Sequence, residues 1–600
     1  MRNLKPVTVT LALLAAAPAS AQYRTLDDHF APPRFTSRAD WEARAAYLRE
    51  HVLASAGLLP MPPKTPLNPV VFDETTHDGY SVSKVYFESL PGFYVTGNLY
   101  KPAGEGPFPA VLSPHGHWAY GRLENSATGS LPGRGINLAR LGMVVFMPDM
   151  VGYNDSRQLP HTFGGKRESL WGLSLAGLQL WNNIRGLDFL QSLPYVRKDA
   201  LGATGASGGG SQTFLLAAVD ERVAVSVPVN MISLHMQGGC LCENMPGLRL
   251  DTTNVEIAAA IAPRPLLMVS ATGDWTRDTL EKEYPAVRAI YALLGAEDRV
   301  SAVRFTAEHN YNKDSREAMY AWIARWLQGA PAQPRLEERA FSVDRLQDLL
   351  VFHGRALPEG ALTPDAITAG WIGAARQQLT ATPLSVRASA LRHALAFAAE
   401  RAVTPGGAGA AAPGAAAPGA AARAPARRRP AVLIAGDVGG AGDALRAAGF
   451  TVRPIAFAAF DAEAAARIKH FDTYNRTPAS QRVADIVSAL RAEPNAVLVA
   501  AGDEALAGAL ASAIAPPRLA VLDVKGFDAG RDEEFVARVY IPGLRRAGDF
   551  WTAADLAPGR LVIHGAGEGF DGTGARIHRS ALSAADIVAL VREEAKRPLR

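Results

Sequence analysis

The stretch Leu201-Gly-Ala-Thr-Gly-Ala-Ser-Gly-Gly-Gly210 decides the reading of this chain. A short apolar run leads into Gly205-Ala206-Ser207-Gly208-Gly209, and a helix-competent run, Gln212 to Val219, follows. A G-x-S-x-G sequence between a strand and a helix predicts a sharp turn that lifts the serine above the sheet edge. Small neighbours are required because the turn is strained and other groups must come close. A plain glycine-rich turn, or a phosphate cradle at a helix N-terminus, is the alternative for the motif in isolation.

The flanking sequence repeats the strand–helix alternation. Short apolar segments at Ala110–Leu112, Met143–Met147, Leu266–Val269 and Val303–Phe305 are separated by helical patterns such as Leu178–Leu190 and Thr279–Leu294. This predicts a mostly parallel sheet covered on both faces. Upstream, alternation over Tyr80–Tyr100 with Pro91-Gly92 at its centre predicts paired strands and a turn.

A serine hydroxyl needs a base, and the base an orienting acid. In the chain order Ser, acid, His, the acid is Asp274, just past an apolar strand, and the base is His309 in Glu308-His-Asn310. Both fall where the carboxyl ends of parallel strands converge. Asp274 could instead cap the helix at Thr276, and Glu243 is the alternative acid. Attack on an ester puts charge on the carbonyl oxygen, which two backbone N–H groups would hold. Gly208 and His117 supply them, the latter from the loop His115-Gly-His-Trp118. His115 and His117 could also ligate a metal. No carboxylate or cysteine stands beside them in sequence, so no metal and no cofactor is expected. Trp118, Tyr153 and Trp275 are candidate rings for stacking a sugar.

Six hundred residues imply several domains. With 48 % apolar and 20 % charged residues the chain is globular, and a net charge of +4 argues against a nucleic-acid partner. Arg2 and Lys5, the apolar run Val7–Ala17 and Ala19-Ser-Ala21 predict a cleaved signal peptide over residues 1–21, hence an exported protein. No later apolar run reaches the ~18 residues of a membrane span. The two cysteines, Cys240 and Cys242, exclude a disulfide scaffold and a four-cysteine zinc site. In an oxidising compartment each is the other's only intramolecular partner, so they form a disulfide or stay as two buried thiols.

Residues 22–334 form the catalytic unit, 335–403 a helical connection, and 404–430 an Ala/Pro/Gly-rich linker that cannot bury enough apolar surface to order itself. A second α/β unit spans 431–600. Leu556-Ala-Pro-Gly-Arg-Leu-Val-Ile-His564 resembles the stretch from Ile261, and Val497-Leu-Val-Ala-Ala-Gly-Asp503 resembles the stretch from Leu201. These matches set Asp503 opposite Ser207 and Gly569 opposite Asp274, as in a copy that has lost its chemistry.

Five strings carry a family resemblance: Pro114-His-Gly-His-Trp118, Gly205–Gly210, Gln237-Gly-Gly-Cys-Leu-Cys-Glu-Asn244, Thr272-Gly-Asp-Trp-Thr276 and His309-Asn-Tyr-Asn312. They resemble bacterial exported α/β-hydrolases of the acetylxylan-esterase-like kind, relatives of the pectin methylesterase-type carbohydrate esterases of family 19. The resemblance covers roughly residues 75–330, and Phe471-Asp-Thr-Tyr-Asn-Arg-Thr477 looks like the family's C-terminal extension. It implies an α/β-hydrolase fold, and the internal likeness above makes the second unit a degenerate hydrolase-like domain. It also implies a polysaccharide or oligosaccharide ester as substrate, Ser207 as nucleophile, His309 as base and Asp274 as acid. A serine peptidase on the same fold and a non-catalytic glycan-binding protein are the other readings.

Overall fold

The computed structural model describes residues 23–398, 429–570 and 574–598. The expected leader lies outside them, as does the linker up to its last two residues. No helix among the described residues is long and apolar enough to cross a membrane.

The first unit is built on nine strands: β1 Val70–His77, β2 Tyr80–Leu90, β3 Phe93–Pro102, β4 Phe108–Leu112, β5 Val144–Pro148, β6 Val196–Ala206, β7 Val223–Val229, β8 Leu266–Ala271 and β9 Val300–Phe305. Their order is β1-β2-β3-β5-β4-β6-β7-β8-β9. The β1–β2, β2–β3 and β3–β5 pairs are antiparallel. Every other pair is parallel. This is the α/β-hydrolase fold. From β4 the chain passes to β5 on one side, then crosses to β6 on the other. That reversal opens a crevice at the carboxyl ends of β4 and β6, where open α/β sheets bind their ligands.

The main helices are α1 Arg38–Ser55, α2 Leu131–Arg140, α3 Leu175–Ser192, α4 Gly208–Val219 and α5 Lys313–Gln328. Strand alternation assigns them to faces. Val111 and Val145 point to the side packed with Ile136 and Leu138 of α2 and Tyr320 and Ile323 of α5. Leu112 and Phe146 point to the other, with Leu187 of α3, Phe214 of α4 and Trp41 and Leu48 of α1. Ser130, Ser174 and Asn312 cap α2, α3 and α5, each accepting a backbone N–H of the first turn.

The segment 335–403 departs from the helical expectation at its start. Residues 335–345 run without helix along the first unit, and helix is extensive only over Pro364–Ala381 and Leu384–Ala394. The cause is anchoring by side chains. Leu336, Phe341 and Val343 pack on the α2/α5 face. Glu338 accepts two bonds of 2.6 Å from Arg316 and one of 2.8 Å from Tyr320 Oη.

The second unit is a six-stranded, wholly parallel sheet: β10 Val432–Ala435, β11 Val452–Pro454, β12 Val497–Ala501, β13 Leu519–Asp523, β14 Leu561–His564 and β15 Arg576–His578, in order β11-β10-β12-β13-β14-β15. One apolar cluster runs from Trp41 and Phe146 through to Phe550 and Phe570, so the units share a core. A buried polar knot locks the join: Asp532 accepts from Trp171 Nε1 at 3.0 Å and Arg545 at 2.7 Å.

Two buried polar clusters generate predictions. Arg122, fully buried, donates to Asp149 at 2.7 Å, Asp155 at 2.9 Å, Asn98 at 2.9 Å and the Leu349 carbonyl at 3.0 Å. Arg122→Met strands two carboxylates and is expected to cost about 3–5 kcal/mol of stability in urea unfolding. Buried His51 lies 3.1 Å from His393, nitrogen to nitrogen. Burial, with the His393 ring adding to it, pushes His51 from 6.5 down to about 4. The unfolded chain therefore takes up this proton at higher pH than the folded one. Stability present above pH 6.5 drains away as pH falls toward about 4. In His51→Gln the urea midpoint should fall less steeply across that window; an unchanged slope would assign it to other groups.

Candidate active site

Strand β6 ends at Ala206, and Ser207 makes the turn into α4 at φ 58°, ψ −125°. This is the left-handed half of the map, sparsely populated by any residue with a Cβ. The turn is held from both sides: Ser207 N–H donates to the Val229 carbonyl at 3.1 Å, and its carbonyl accepts from Ser211 N–H at 2.9 Å. Close packing explains the glycines. A Cβ on Gly205 would meet the Gly209 and Pro114 carbonyl oxygens at 2.5 and 2.6 Å. One on Gly116 would meet the Ala206 oxygen at 2.5 Å and Ser207 Cβ at 3.0 Å. The loop after β4 thus lies directly on the serine turn.

Asp274 and His309, after β8 and β9, come together with His309 Nδ1 2.8 Å from Asp274 Oδ2. The buried carboxylate also accepts from Thr276 N–H at 2.7 Å and Thr276 Oγ1 at 2.5 Å. It therefore caps the following turn with one oxygen and orients the histidine with the other. Nδ1–H donation to Asp274 leaves Nε2 as the basic nitrogen. The Trp275 ring packs 4.4 Å from the His309 ring, centroid to centroid. Ser207 Oγ and His309 make no hydrogen bond in this structure. Glu243 makes no hydrogen bond or ion pair with His309. It accepts from Ser211 Oγ at 3.0 Å, Gly239 N–H at 3.0 Å and Cys240 N–H at 3.2 Å.

Neither His117 N–H nor Gly208 N–H finds an acceptor among the described residues. The His115 and His117 rings part ways. His115 is buried, with Nδ1 2.7 Å from the Gly116 carbonyl and Nε2 accepting from Met150 N–H at 2.9 Å. Tyr153 is wedged edge-on between the His115 and His161 rings, at 5.1 and 4.9 Å. Trp118 is half-buried against Gly129.

Of the two alternatives open for the cysteines, the structure has Cys240 and Cys242 as free thiols. The expectation of no metal rested on His117 having no cysteine beside it. In space, His117 meets His161, Cys240 and Cys242, and the four ligand atoms lie within 4.8 Å of one another. His161 gave no signal in the sequence, because only the fold brings the loop after β5 beside the loop after β4. The Cys242 thiol and the two imidazoles hold Cys240 far below the ordinary thiol range, whereas burial pushes Cys242 up.

The second unit reaches this site through Phe471–Thr477. Gly247 N–H donates to the Asp472 carbonyl at 2.7 Å, Arg249 N–H to that of Thr473 at 2.9 Å, and Tyr474 Oη to Asn244 at 3.0 Å. The loop carrying the cysteines is therefore backed by the second unit. The internal likeness also shifts by one residue. Gly502, not Asp503, occupies the position of Ser207, at φ 70°, ψ −138° with its N–H donating to the Asp523 carbonyl at 2.8 Å. Asp503 instead pairs with Arg538 at 3.0 Å. The same turn is thus built twice, with glycine in place of the serine in the second unit.

No family model matches this chain. A Bacillus subtilis (strain 168) protein named "Putative hydrolase YtaP" is 29 % identical over 262 residues, 40 % of this chain and 84 % of that protein. Among solved structures, the methylesterase BT1017 is 30 % identical with a TM-score of 0.49, covering 58 % of this chain and 78 % of that one. A carbohydrate esterase family 15 glucuronoyl esterase from Caldicellulosiruptor kristjansonii is 17 % identical with a TM-score of 0.34, covering 55 % and 97 %.

Ser207→Gly removes the Cβ from a conformation that glycine adopts freely. It should raise stability by a net of about 1 kcal/mol in urea unfolding, after the extra entropy of an unfolded glycine. A loss of stability would show that the turn carries no strain.

Proposed function

We propose that the chain is an exported serine hydrolase that removes acyl or methyl groups from polysaccharide esters. The observation that carries this reading is the positive-φ turn at Ser207. It stands at the sheet's crevice beside two unengaged N–H groups, with the His309–Asp274 pair on neighbouring strands. A strained serine has a cost that a purely structural turn would shed by becoming glycine, as the second unit has done at Gly502.

In this reading Ser207 Oγ adds to the ester carbonyl carbon as its proton passes to His309 Nε2. The oxygen of the tetrahedral intermediate receives the N–H groups of His117 and Gly208. Collapse expels the alcohol, which takes the proton from His309, and leaves an acyl-serine that water hydrolyses by the same steps. Asp274 fixes the tautomer and stabilises the imidazolium. For an acetylated sugar the alcohol is the sugar hydroxyl; for a uronate methyl ester it is methanol. Tyr120, 58 % exposed, and half-buried Trp118 lie on the loop after β4 and offer ring faces to a pyranose. Trp275 and Tyr153 are already engaged by His309 and by His115 and His161. The name of the Bacillus relative is consistent with a hydrolase.

A fluorophosphonate probe on the purified mature protein should form one adduct, on Ser207. Ser207→Ala should abolish both labelling and turnover of acetylated xylan or methylated pectin. Asp274→Asn should lower turnover roughly 10⁴-fold by favouring the wrong tautomer. Turnover retained in Ser207→Ala sinks the assignment. Saturable glycan binding without labelling would make the chain a binding protein.

A further inference from the structure

We propose that His117, His161, Cys240 and Cys242 form a tetrahedral zinc site that ties together three loops around Ser207. Two histidines and two cysteines are a donor set typical of structural zinc, with all four positions taken by protein. The spacing fits an ion at the centre. Zinc–nitrogen bonds of about 2.0–2.1 Å and zinc–sulfur bonds of about 2.3 Å imply tetrahedral edges of about 3.3 Å between nitrogens and about 3.5 Å between nitrogen and sulfur. His117 Nε2 lies 3.3 Å from His161 Nε2, and His161 Nε2 lies 3.5 Å from Cys240 Sγ. A third edge, His117 Nε2 to Cys242 Sγ, is 3.1 Å, a few tenths shorter, and all four ligand atoms lie within 4.8 Å of one another.

The surroundings aim the donors at a common point. His161 Nδ1 donates to the Val151 carbonyl at 2.6 Å, which leaves Nε2 with its lone pair facing the cluster. The His117 and His161 rings stand at 72° to each other with both Nε2 atoms inward. Glu243 gathers the N–H groups of Gly239 and Cys240 and so sets the cysteine turn. Burial runs from exposed His117 to buried Cys242, which gives an ion a way in from the crevice. Two thiolates and one dication make a neutral core, which lowers the cost of holding the charges at this depth.

The ligands come from the loops after β4, β5 and β7. Zinc would lock the first of these over the serine turn, where His117 N–H is the assigned oxyanion donor. It would also keep two thiols apart from each other in an oxidising compartment. The positional consequence rests on the hydrolase reading; the metal site does not.

The test uses the full mature chain, purified without chelator and without a histidine tag. Elemental analysis should find one zinc per chain. Both thiols should resist a thiol reagent until zinc is removed. Cobalt(II) in its place should show the intense visible bands of tetrahedral coordination and a sulfur-to-cobalt charge-transfer band. His161→Gln and the double variant Cys240→Ser/Cys242→Ser, checked for fold by circular dichroism, should lose the metal. A chain that is metal-free, binds added zinc no tighter than about 1 μM and has freely reactive thiols overturns the proposal, as does a Cys240–Cys242 disulfide. Fluorophosphonate labelling of the same sample separates the two readings. Zinc without labelling defeats only the hydrolase, and labelling without zinc defeats only the metal site.

Discussion

The structure turns on one crowded bend, the passage from β6 into α4 at Ser207. A residue with a Cβ is held at φ 58°, and carbonyl groups of neighbouring segments leave no room for side chains around it. Everything else in the first unit serves to keep that bend in place. The neighbouring parallel strand β7 supplies its backbone acceptor at Val229, α4 closes its exit, and the loop after β4 lies against it at Gly116. Strain of this kind persists only when the surroundings over-determine it. Here they do so through a sheet whose central strands are buried on both faces.

The second unit shows what the same architecture looks like without that constraint. It repeats the parallel sheet, the strand-to-helix turn and the backbone bond to the next strand, but places Gly502 where Ser207 stands. It shares the apolar core of the first unit, closes a buried knot at Asp532, and sends Phe471–Thr477 to back the loop that bears Cys240 and Cys242. The crevice is therefore bounded by residues from distant parts of the chain.

Some of this was legible in the residues. The core strands predicted at Ala110–Leu112, Leu266–Val269 and Val303–Phe305 all fall within observed strands; the first two are buried on both faces and so must be apolar along their length, whereas the third lies half-buried at the sheet edge. Asp274 and His309 could be paired by chain order, since each follows a strand whose end lies at the crevice, and they stand 2.8 Å apart. The extended run at 335–345 was misjudged as helix because its conformation is imposed by Glu338, Phe341 and Val343 docking on other elements. The cysteines stayed open between a disulfide and two thiols for a related reason: elimination within the sequence left them only each other as partners, whereas the fold brings His117 and His161 beside them.

The order of elements, the small residues of the turn and the identity of the groups at the strand ends were determined by the sequence alone. These follow from local physics: apolar periodicity, backbone sterics, and the need of a strained turn for glycine beside it. Which side chains meet was decided only by the tertiary structure. His161 joins His117 because the chain crosses from β5 to β6, bringing two loops distant in sequence to one edge of the sheet. Glu243 faces the cysteine turn and not His309 for the same reason. A contact between distant residues carries no mark in either segment; it exists only once both are anchored to a common sheet.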